Sequence, residues 1–157
     1  LGKEGEGFAI AMSGLDAGRI GIAALSLGVA QAALDEAIKY AKQRKQFGQA
    51  IAQFQGLQWI IADMAMDVEA ARLLVLNAAD MKERGENCTM AASMAKCFAS
   101  EMVNRVTSQA IQIHGGYGYV KEYAVERFYR DARVLTIYEG TNQIQRHVIA
   151  RELLKSK

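Results

Sequence analysis

The sequence predicts an all-α fold, an antiparallel four-helix bundle, on three grounds. The 157 residues contain no proline, and proline both breaks helices and is common in loops. Hydrophobic residues recur at spacings of three and four along most of the chain, which is the pattern of a helix with one buried face. The length suits a single domain with one core. Long helices joined by short loops then pack as an antiparallel bundle.

The first two helices have the clearest patterns. One is predicted over about 12–44 and ends at RKQFG, where Arg44 suits the negative end of the helix dipole and Gly48 suits a left-handed cap. The next is predicted over about 54–84, where apolar residues alternate steps of four and three through three heptads, a regular buried seam. Gly85 then ends this second helix.

The remaining elements are shorter. Thr89 is expected to open a third helix that extends over about 89–113. HGGYGY follows, and three glycines within four residues make a helix costly at about 1 kcal/mol each, so a loop is expected there. A short helix over about 122–132 and a last helix over about 142–154, capped by Thr141, complete the bundle.

Composition excludes several classes of function. The net charge is +2 and the basic residues are scattered, so neither nucleic acid nor an anionic membrane surface is an expected partner. No apolar run approaches the ~18 residues of a membrane span, and the N-terminus LGKEGEGF lacks the basic-then-apolar layout of a signal peptide. The two cysteines, Cys88 and Cys97, do not indicate a disulfide scaffold and favour a reducing compartment.

A metal site is not expected either. Helical bundles that hold two metal ions use a Glu-x-x-His pattern. Neither His114 nor His147 has a glutamate three positions before it.

Two stretches carry candidate site residues that also have a purely structural interpretation. Glu139 in YEGTNQIQR suits a general base when water is excluded, with Tyr138 as apolar cover and Gly140 admitting a substrate. It equally suits an acid that complements the dipole of the last helix. In RKQFG, Arg44 and Phe47 offer a planar cation and a ring face to a phosphate-bearing ligand, or simply a helix end. On local pattern alone the structural interpretation is favoured for both stretches.

Two further stretches are equally open. QIHGG, residues 112–116, exposes backbone donors and acceptors that suit a flat heterocycle or a pyrophosphate, but it also reads as an ordinary helix end and turn. LDAGR, residues 15–19, reads locally as a helix start in which Asp16 caps and Arg19 is solvated.

Taken together and in order, these stretches resemble the C-terminal domain of the acyl-CoA dehydrogenases. The resemblance rests on LDAGRIGIAALSLGVAQAALD, RKQFG, FQGLQ, QAIQIHGGYGYV, ERFYRDAR and IYEGTNQIQR, and is greatest to the short-chain (butyryl) branch. It implies α,β-dehydrogenation of a short- or medium-chain acyl-CoA with FAD as cofactor. It also implies that residues 1–11 are a junction from a missing upstream β-domain and that residues 12–157 form the helical C-terminal domain.

The resemblance assigns roles residue by residue. Glu139 matches the base that removes the α-proton of the acyl thioester while hydride passes from the β-carbon to FAD. The positions that match substrate contacts are Asp16, Ala17, Gly18, Arg19, Tyr138 and Gly140. The positions that match FAD contacts are Arg44, Phe47, Gln55, Gln112, Ile113, His114, Gly115, Gly116, Thr141, Asn142 and Gln143.

Two departures from the family pattern bear on these roles. His114 stands where many relatives have leucine, and because the contact there runs largely through the backbone, FAD binding is expected to survive. Isovaleryl and long-chain branches carry their catalytic glutamate at the position of Gly18. The glycine therefore disfavours those specificities and leaves Glu139 as the base.

The resemblance also implies partners. Several FAD contacts in the family reach the flavin of a neighbouring subunit, which implies a homodimeric unit, usually assembled as a dimer of dimers. An electron-transfer flavoprotein is the expected electron acceptor, in the cytoplasm of a bacterium or the mitochondrial matrix of a eukaryote. Two alternatives are an acyl-CoA oxidase-like flavoenzyme on the same fold and, for the isolated chain, a non-catalytic helical oligomerisation module. By itself the chain is expected to be inactive.

Overall fold

The structure is a computed structural model that describes residues 2–155, and it confirms the all-α prediction. Within these residues there are five α-helices, a two-stranded antiparallel hairpin and three short 3-10 turns. The α-helices are α1 Gly7–Gln43, α2 Gln55–Glu83, α3 Thr89–His114, α4 Val125–Ala132 and α5 Asn142–Leu153; the strands are β1 Lys45–Gln46 and β2 Gln49–Ala50; the 3-10 turns are Ile51–Gln53, Gly115–Tyr119 and Arg133–Thr136.

The centre of the bundle is the contact between α1 and α3, against which α2 packs from the side. Small side chains on α1 allow a close approach of the two helix axes. The fully buried residues of that face are Ala23, Ala30, Ala33, Ala37 and Ala41. α5 and α4 pack on α3 as well, so α3 contacts every other helix and connects the two ends of the fold.

The predicted seam of α2 is confirmed. Met64, Val68, Ala71, Val75 and Ala78 are all buried, at the alternating steps of three and four that keep one helix face turned inward. Periodicity of this kind is local, so the sequence alone was sufficient to predict it.

The hairpin corrects one prediction. Gly48 does not cap α1; the helix ends at Gln43, and the N–H of Arg44 donates to the carbonyl of Tyr40 at 2.8 Å. Gly48 instead forms the hairpin turn together with Phe47, with φ angles of 82° and 51°. A two-residue loop whose central residues both have positive φ matches the twist of the flanking strands.

Several element boundaries also differ from the predictions. α1 begins at Gly7 and not near residue 12, so Asp16 lies inside the helix and the interpretation of LDAGR as a helix start is wrong. HGGYGY is a 3-10 turn and not an irregular loop, and α4 starts only at Val125. Thr89 is the first residue of α3, but the N-cap is Cys88.

α1 is long and apolar enough to cross a membrane when judged by length and composition alone, with a window of mean hydropathy 1.4. The central helix of a bundle meets the same criterion. Since α1 packs along both α3 and α2 and also buries the polar residues Arg19 and Ser26, we interpret it as a core helix.

Candidate functional site

A groove of about 570 Å³ lies where the first turns of α1 meet the N-terminus of α3 and α5. We call it the Glu139 groove. Phe8, Met12 and Ile144 supply apolar lining, whereas Glu139 and Arg19 supply charge. An apolar cleft with a few convergent charged groups is the usual form of a small-molecule site.

Glu139 enters this groove from a strained backbone. Its φ is 53°, and that of Gly140 is 86°, so two consecutive residues adopt the left-handed conformation that costs a non-glycine residue about 1 kcal/mol or more. Partial burial raises the pKa of the adjacent Tyr138 phenol, and the negative charge of the Glu139 carboxylate raises it further. Strain of this kind persists where the surrounding structure enforces it.

The carboxylate of Glu139 lies directly against Gly18 in α1. A Cβ atom at Gly18 would come within 2.7 Å of Oε2 and 2.9 Å of Cδ of Glu139. Real side chains do not approach so closely, so the absence of a side chain at position 18 creates the space that the carboxylate occupies.

Beneath the strained residues lies a buried polar cluster. The ammonium of Lys96 donates to the carbonyl of Gly140 and to Oδ1 of Asn142, both at 2.8 Å. The amide Nε2 of Gln145 donates to the carbonyls of Glu139 and Gly140 at 3.1 and 3.0 Å. Lys96 and Gln145 are fully buried, and burial lowers the pKa of Lys96.

Arg19 is held by a buried ion pair at the floor of the groove. Nη1 of Arg19 donates to Oδ1 of Asp16 at 2.8 Å, and the hydroxyl of Thr89 donates to Oδ2 of the same carboxylate at 2.7 Å. Arg19 is therefore not solvated, contrary to the local reading of LDAGR; its side chain is 8% exposed. Because Asp16 accepts from both α1 and α3, it also ties the two helices together.

A second groove of similar volume, about 570 Å³, lies at the other end of α1 and α3. We call it the Arg44 groove. Arg44 lies over the ring of Tyr117, with Cζ 5.4 Å from the ring centre, and within residues 2–155 it forms no ion pair. A guanidinium that lies over an aromatic ring and has no carboxylate partner suits an anionic ligand with flat rings.

The predicted segment Gln112, Ile113, His114, Gly115 and Gly116 lines the same groove. Gly115 adopts a positive φ of 61°, and a Cβ at Gly116 would contact nothing within 4 Å, so backbone is open to a ligand at both positions.

The His114 side chain turns away from that surface into the core. Its ring stacks on Tyr40 at 4.2 Å between centres and meets Tyr123 edge-on. Nδ1 lies 2.8 Å from the carbonyl of Ala110, which can only accept, so Nδ1 carries the proton. Burial lowers the pKa of His114, which keeps the ring neutral near pH 7.

Both grooves lie within a segment that matches a known protein family. The family model of the acyl-CoA dehydrogenase C-terminal domain matches residues 5–154. This chain belongs to the acyl-CoA dehydrogenase family. The resemblance drawn from the sequence motifs is thereby confirmed.

Individual relatives agree with this assignment. The chain is 61% identical to the caffeyl-CoA reductase–Etf complex subunit CarC of Acetobacterium woodii and 50% identical to a short-chain specific acyl-CoA dehydrogenase of Clostridium acetobutylicum, over 99% of its length and 41% of theirs. It superposes on the structure of butyryl-CoA dehydrogenase from Megasphaera elsdenii with a TM-score of 0.97 at 52% identity, covering 99% of this chain and 40% of that one. The chain thus spans about two-fifths of these relatives.

Many of the predicted acyl-CoA dehydrogenase site residues line one of the two grooves. Asp16, Arg19, Glu139 and Gly140 line the Glu139 groove. Arg44 and the 112–116 segment line the Arg44 groove.

Other predicted residues line neither groove. Phe47 is 92% exposed at the hairpin tip, and Ala17, Gln55, Tyr138 and Gln143 lie on the surface. Thr141 caps α5 as predicted, its hydroxyl accepting from the N–H of Ile144 at 3.5 Å. Asn142 is buried, and its side chain points inward to Lys96 and Ser100.

Sequence reasoning missed the residues that hold Glu139 in place. Lys96 and Gln145 were not among the candidates, nor was Thr89 at the floor of the groove. One signal was available: Lys96 falls on the same helical face as the buried residues Ala92, Ala99 and Val103, and a lysine at a core position needs a partner.

Proposed function

We propose that this chain is the C-terminal domain of an FAD-dependent acyl-CoA dehydrogenase, with Glu139 as the base that removes the α-proton of a short- or medium-chain acyl-CoA. One observation carries the proposal: a strained backbone directs the carboxylate of Glu139 into a groove and against Gly18. A carboxylate that only complemented a helix dipole would not need either the strain or the glycine.

The chemistry of the step fits the groove. The α C–H bond breaks and its proton passes to a carboxylate oxygen of Glu139, while negative charge develops on the thioester oxygen. That charge needs hydrogen-bond donors held in place before the reaction. Within residues 2–155 the backbone N–H of Glu139 donates to no protein acceptor, so it is available for this purpose. Bound FAD supplies the acceptor for the hydride from the β-carbon.

We further propose that FAD is held by the Arg44 groove and by the start of α5. Arg44 and the open backbone of Gly115 and Gly116 suit its pyrophosphate and flat rings, and Phe47, Gln55, Thr141, Asn142 and Gln143 add contacts. Thr141, Asn142 and Gln143 do not line the Arg44 groove, and the family resemblance implies a homodimeric arrangement in which each region serves a different flavin.

The same proposal implies a redox partner and a cellular location for the enzyme. This chain spans about two-fifths of its relatives, and the rest of such a polypeptide would complete the flavin site. An electron-transfer flavoprotein is the proposed redox partner, and the name of the CarC relative, which belongs to an Etf complex, supports it. The relatives cited above come from bacteria, which supports the bacterial cytoplasm as the proposed location; for a eukaryotic source the proposed location is the mitochondrial matrix.

A second direction of reaction has its own support. The CarC relative is named a reductase and is more similar to this chain than the short-chain dehydrogenase of Clostridium acetobutylicum, at 61% against 50% identity. In this direction reduced FAD, when bound, would supply the hydride to the β-carbon of an enoyl-CoA, and protonated Glu139 would deliver the proton to the α-carbon. Comparing the rates of butyryl-CoA oxidation and of enoyl-CoA reduction, without oxygen, decides between the two directions.

The test of the base is Glu139→Gln in the complete, flavin-loaded polypeptide. We expect bleaching of the flavin by butyryl-CoA to slow by about 10²–10⁴-fold, because a general base contributes that much, while FAD stays bound. Glu83→Gln is the matched control, since Glu83 is exposed at the end of α2. Bleaching at the wild-type rate in Glu139→Gln would show that the base lies elsewhere.

A further inference from the structure

Lys96 is a buried cation without a carboxylate in hydrogen-bond contact. Its side chain is 0% exposed, and the two acceptors of its ammonium are neutral oxygens, those of Gly140 and Asn142. Removing an ammonium from water costs several kcal/mol, and lysine is among the residues least often found fully buried. A neutral side chain would fill this position at lower cost, so packing alone does not account for the lysine.

The ammonium acts on the strained part of the chain. Left-handed conformations at Glu139 and Gly140 persist only if neighbouring groups enforce them. Three hydrogen bonds from two fully buried side chains do so: Gln145 donates to both carbonyls, and Lys96 donates to that of Gly140. The same ammonium also binds the side chain of Asn142, the first residue of α5.

Within residues 2–155, Lys96 forms no ion pair with either Glu101 or Glu139. Glu101 is already held by Arg146, whose Nη2 lies 2.7 and 2.9 Å from its two oxygens. Glu139 has no ion-pair partner within residues 2–155. Within these residues the ammonium of Lys96 is therefore matched by the oxygens of Gly140 and Asn142, and its effect on Glu139 runs through them.

We propose that Lys96 is a positioning residue for the catalytic base. Its ammonium fixes the carbonyl of Gly140 and the side chain of Asn142, and through them it sets the direction in which the Glu139 carboxylate enters the groove. This inference rests on the proposed role of Glu139. Lys96 itself does not touch the substrate; it acts by holding the chain that directly follows the Glu139–Gly140 peptide.

The test measures the rate of α-proton removal per bound flavin. A misfolded fraction that binds no flavin then does not count as a loss of positioning. An acyl-CoA analogue with sulfur in place of the β-carbon can lose its α-proton but has no β-hydride to give. Exchange of its α-hydrogens with deuterated water therefore reports on the base alone. In the complete polypeptide, we expect Lys96→Gln to slow this exchange about 10²-fold, because a misplacement of about 1 Å has that effect. The dissociation constant of the analogue should change less than threefold.

Two further variants make the outcome decisive. Lys96→Met, which removes the charge and the donors but keeps the length of the stem, should show the same loss of exchange. Lys39→Met, an exposed lysine on α1, should exchange like the wild type. If Lys96→Gln binds flavin and exchanges at the wild-type rate, Lys96 only fills space and the proposal is wrong. If Glu139→Gln also exchanges normally, it is instead the proposed function of Glu139 that fails.

Discussion

The carboxylate of Glu139 occupies the space that a side chain at Gly18 would fill, with Oε2 only 2.7 Å from where its Cβ would be. Positions 18 and 139 are far apart in sequence and meet only because α1 passes beneath the turn before α5. The proximity fits the expectation, drawn from the sequence resemblance, that a glutamate at either position can serve as the base.

Gly18→Ala should lower the activity of the enzyme without lowering its stability. The new methyl group displaces the carboxylate, so we expect the rate of flavin bleaching by butyryl-CoA to fall about 10²-fold. Stability should hold or rise by up to about 1 kcal/mol, because alanine is the better helix former and the atoms it meets are the mobile end of a side chain. Stopped-flow absorbance and thermal unfolding measure the two effects.

Gly21→Ala is the matched control for that variant. It lies one turn further along the same helix, where a Cβ would meet nothing within 4 Å. It should gain the same stability and keep the full rate. Equal rates in Gly18→Ala and Gly21→Ala would mean that the carboxylate does not need its place against α1.

Asp16→Ala should destabilise the domain strongly. The pair it forms with Arg19 is buried, with side chains 14% and 8% exposed, and removing one partner of a buried pair costs about 3–5 kcal/mol. Urea denaturation followed by circular dichroism gives the free energy of unfolding. Asp80→Ala breaks an exposed pair with Arg84 and should cost below about 1 kcal/mol. A similar, small loss in both variants would contradict the burial of Arg19.

His114→Leu should lose less stability than the wild type when the pH is lowered. Burial lowers the pKa of His114 in the folded state, whereas the unfolded chain takes up the proton near its ordinary value of about 6.5. The stabilisation from the neutral ring is complete above that pH and is lost as the pH falls through it towards the folded pKa. Melting temperatures between pH 7.5 and 5.5 should therefore fall less in the variant than in the wild type.

The same variant tests the Arg44 groove. Since His114 is only 3% exposed and its ring stacks on Tyr40, FAD binding by the complete polypeptide should be retained in His114→Leu. A large loss of FAD affinity there would show that the ring contacts the cofactor.

Arg44→Met should weaken FAD binding. A charge-assisted hydrogen bond contributes about 1.5–3 kcal/mol, so we expect the dissociation constant for FAD to rise about 10- to 100-fold in a titration of the apoprotein. Arg130→Met, which removes an exposed arginine paired with Glu126 on α4, should bind FAD like the wild type. An unchanged dissociation constant in Arg44→Met would remove this groove from the proposed flavin site.

Local patterns predicted those parts of the structure that local interactions decide. The α2 seam from Met64 to Ala78 follows from periodicity, and Thr141 caps α5 because its hydroxyl reaches an N–H three residues away. The same reasoning failed at Gly48, where strand pairing between Gln46 and Gln49 replaced a helix cap. It failed again at Arg19, because the ion pair that buries this residue also needs Thr89, which α3 supplies.

By itself the sequence determined the helical class, the extent of α2 and α3, the family and the identity of Glu139 as the candidate base. Only the tertiary structure decided why that glutamate is held where it is. Its backbone is fixed by Lys96 and Gln145, and its carboxylate rests on Gly18. Each of these contacts joins segments distant in sequence, so it depends on how the helices pack and leaves no repeating pattern along the chain.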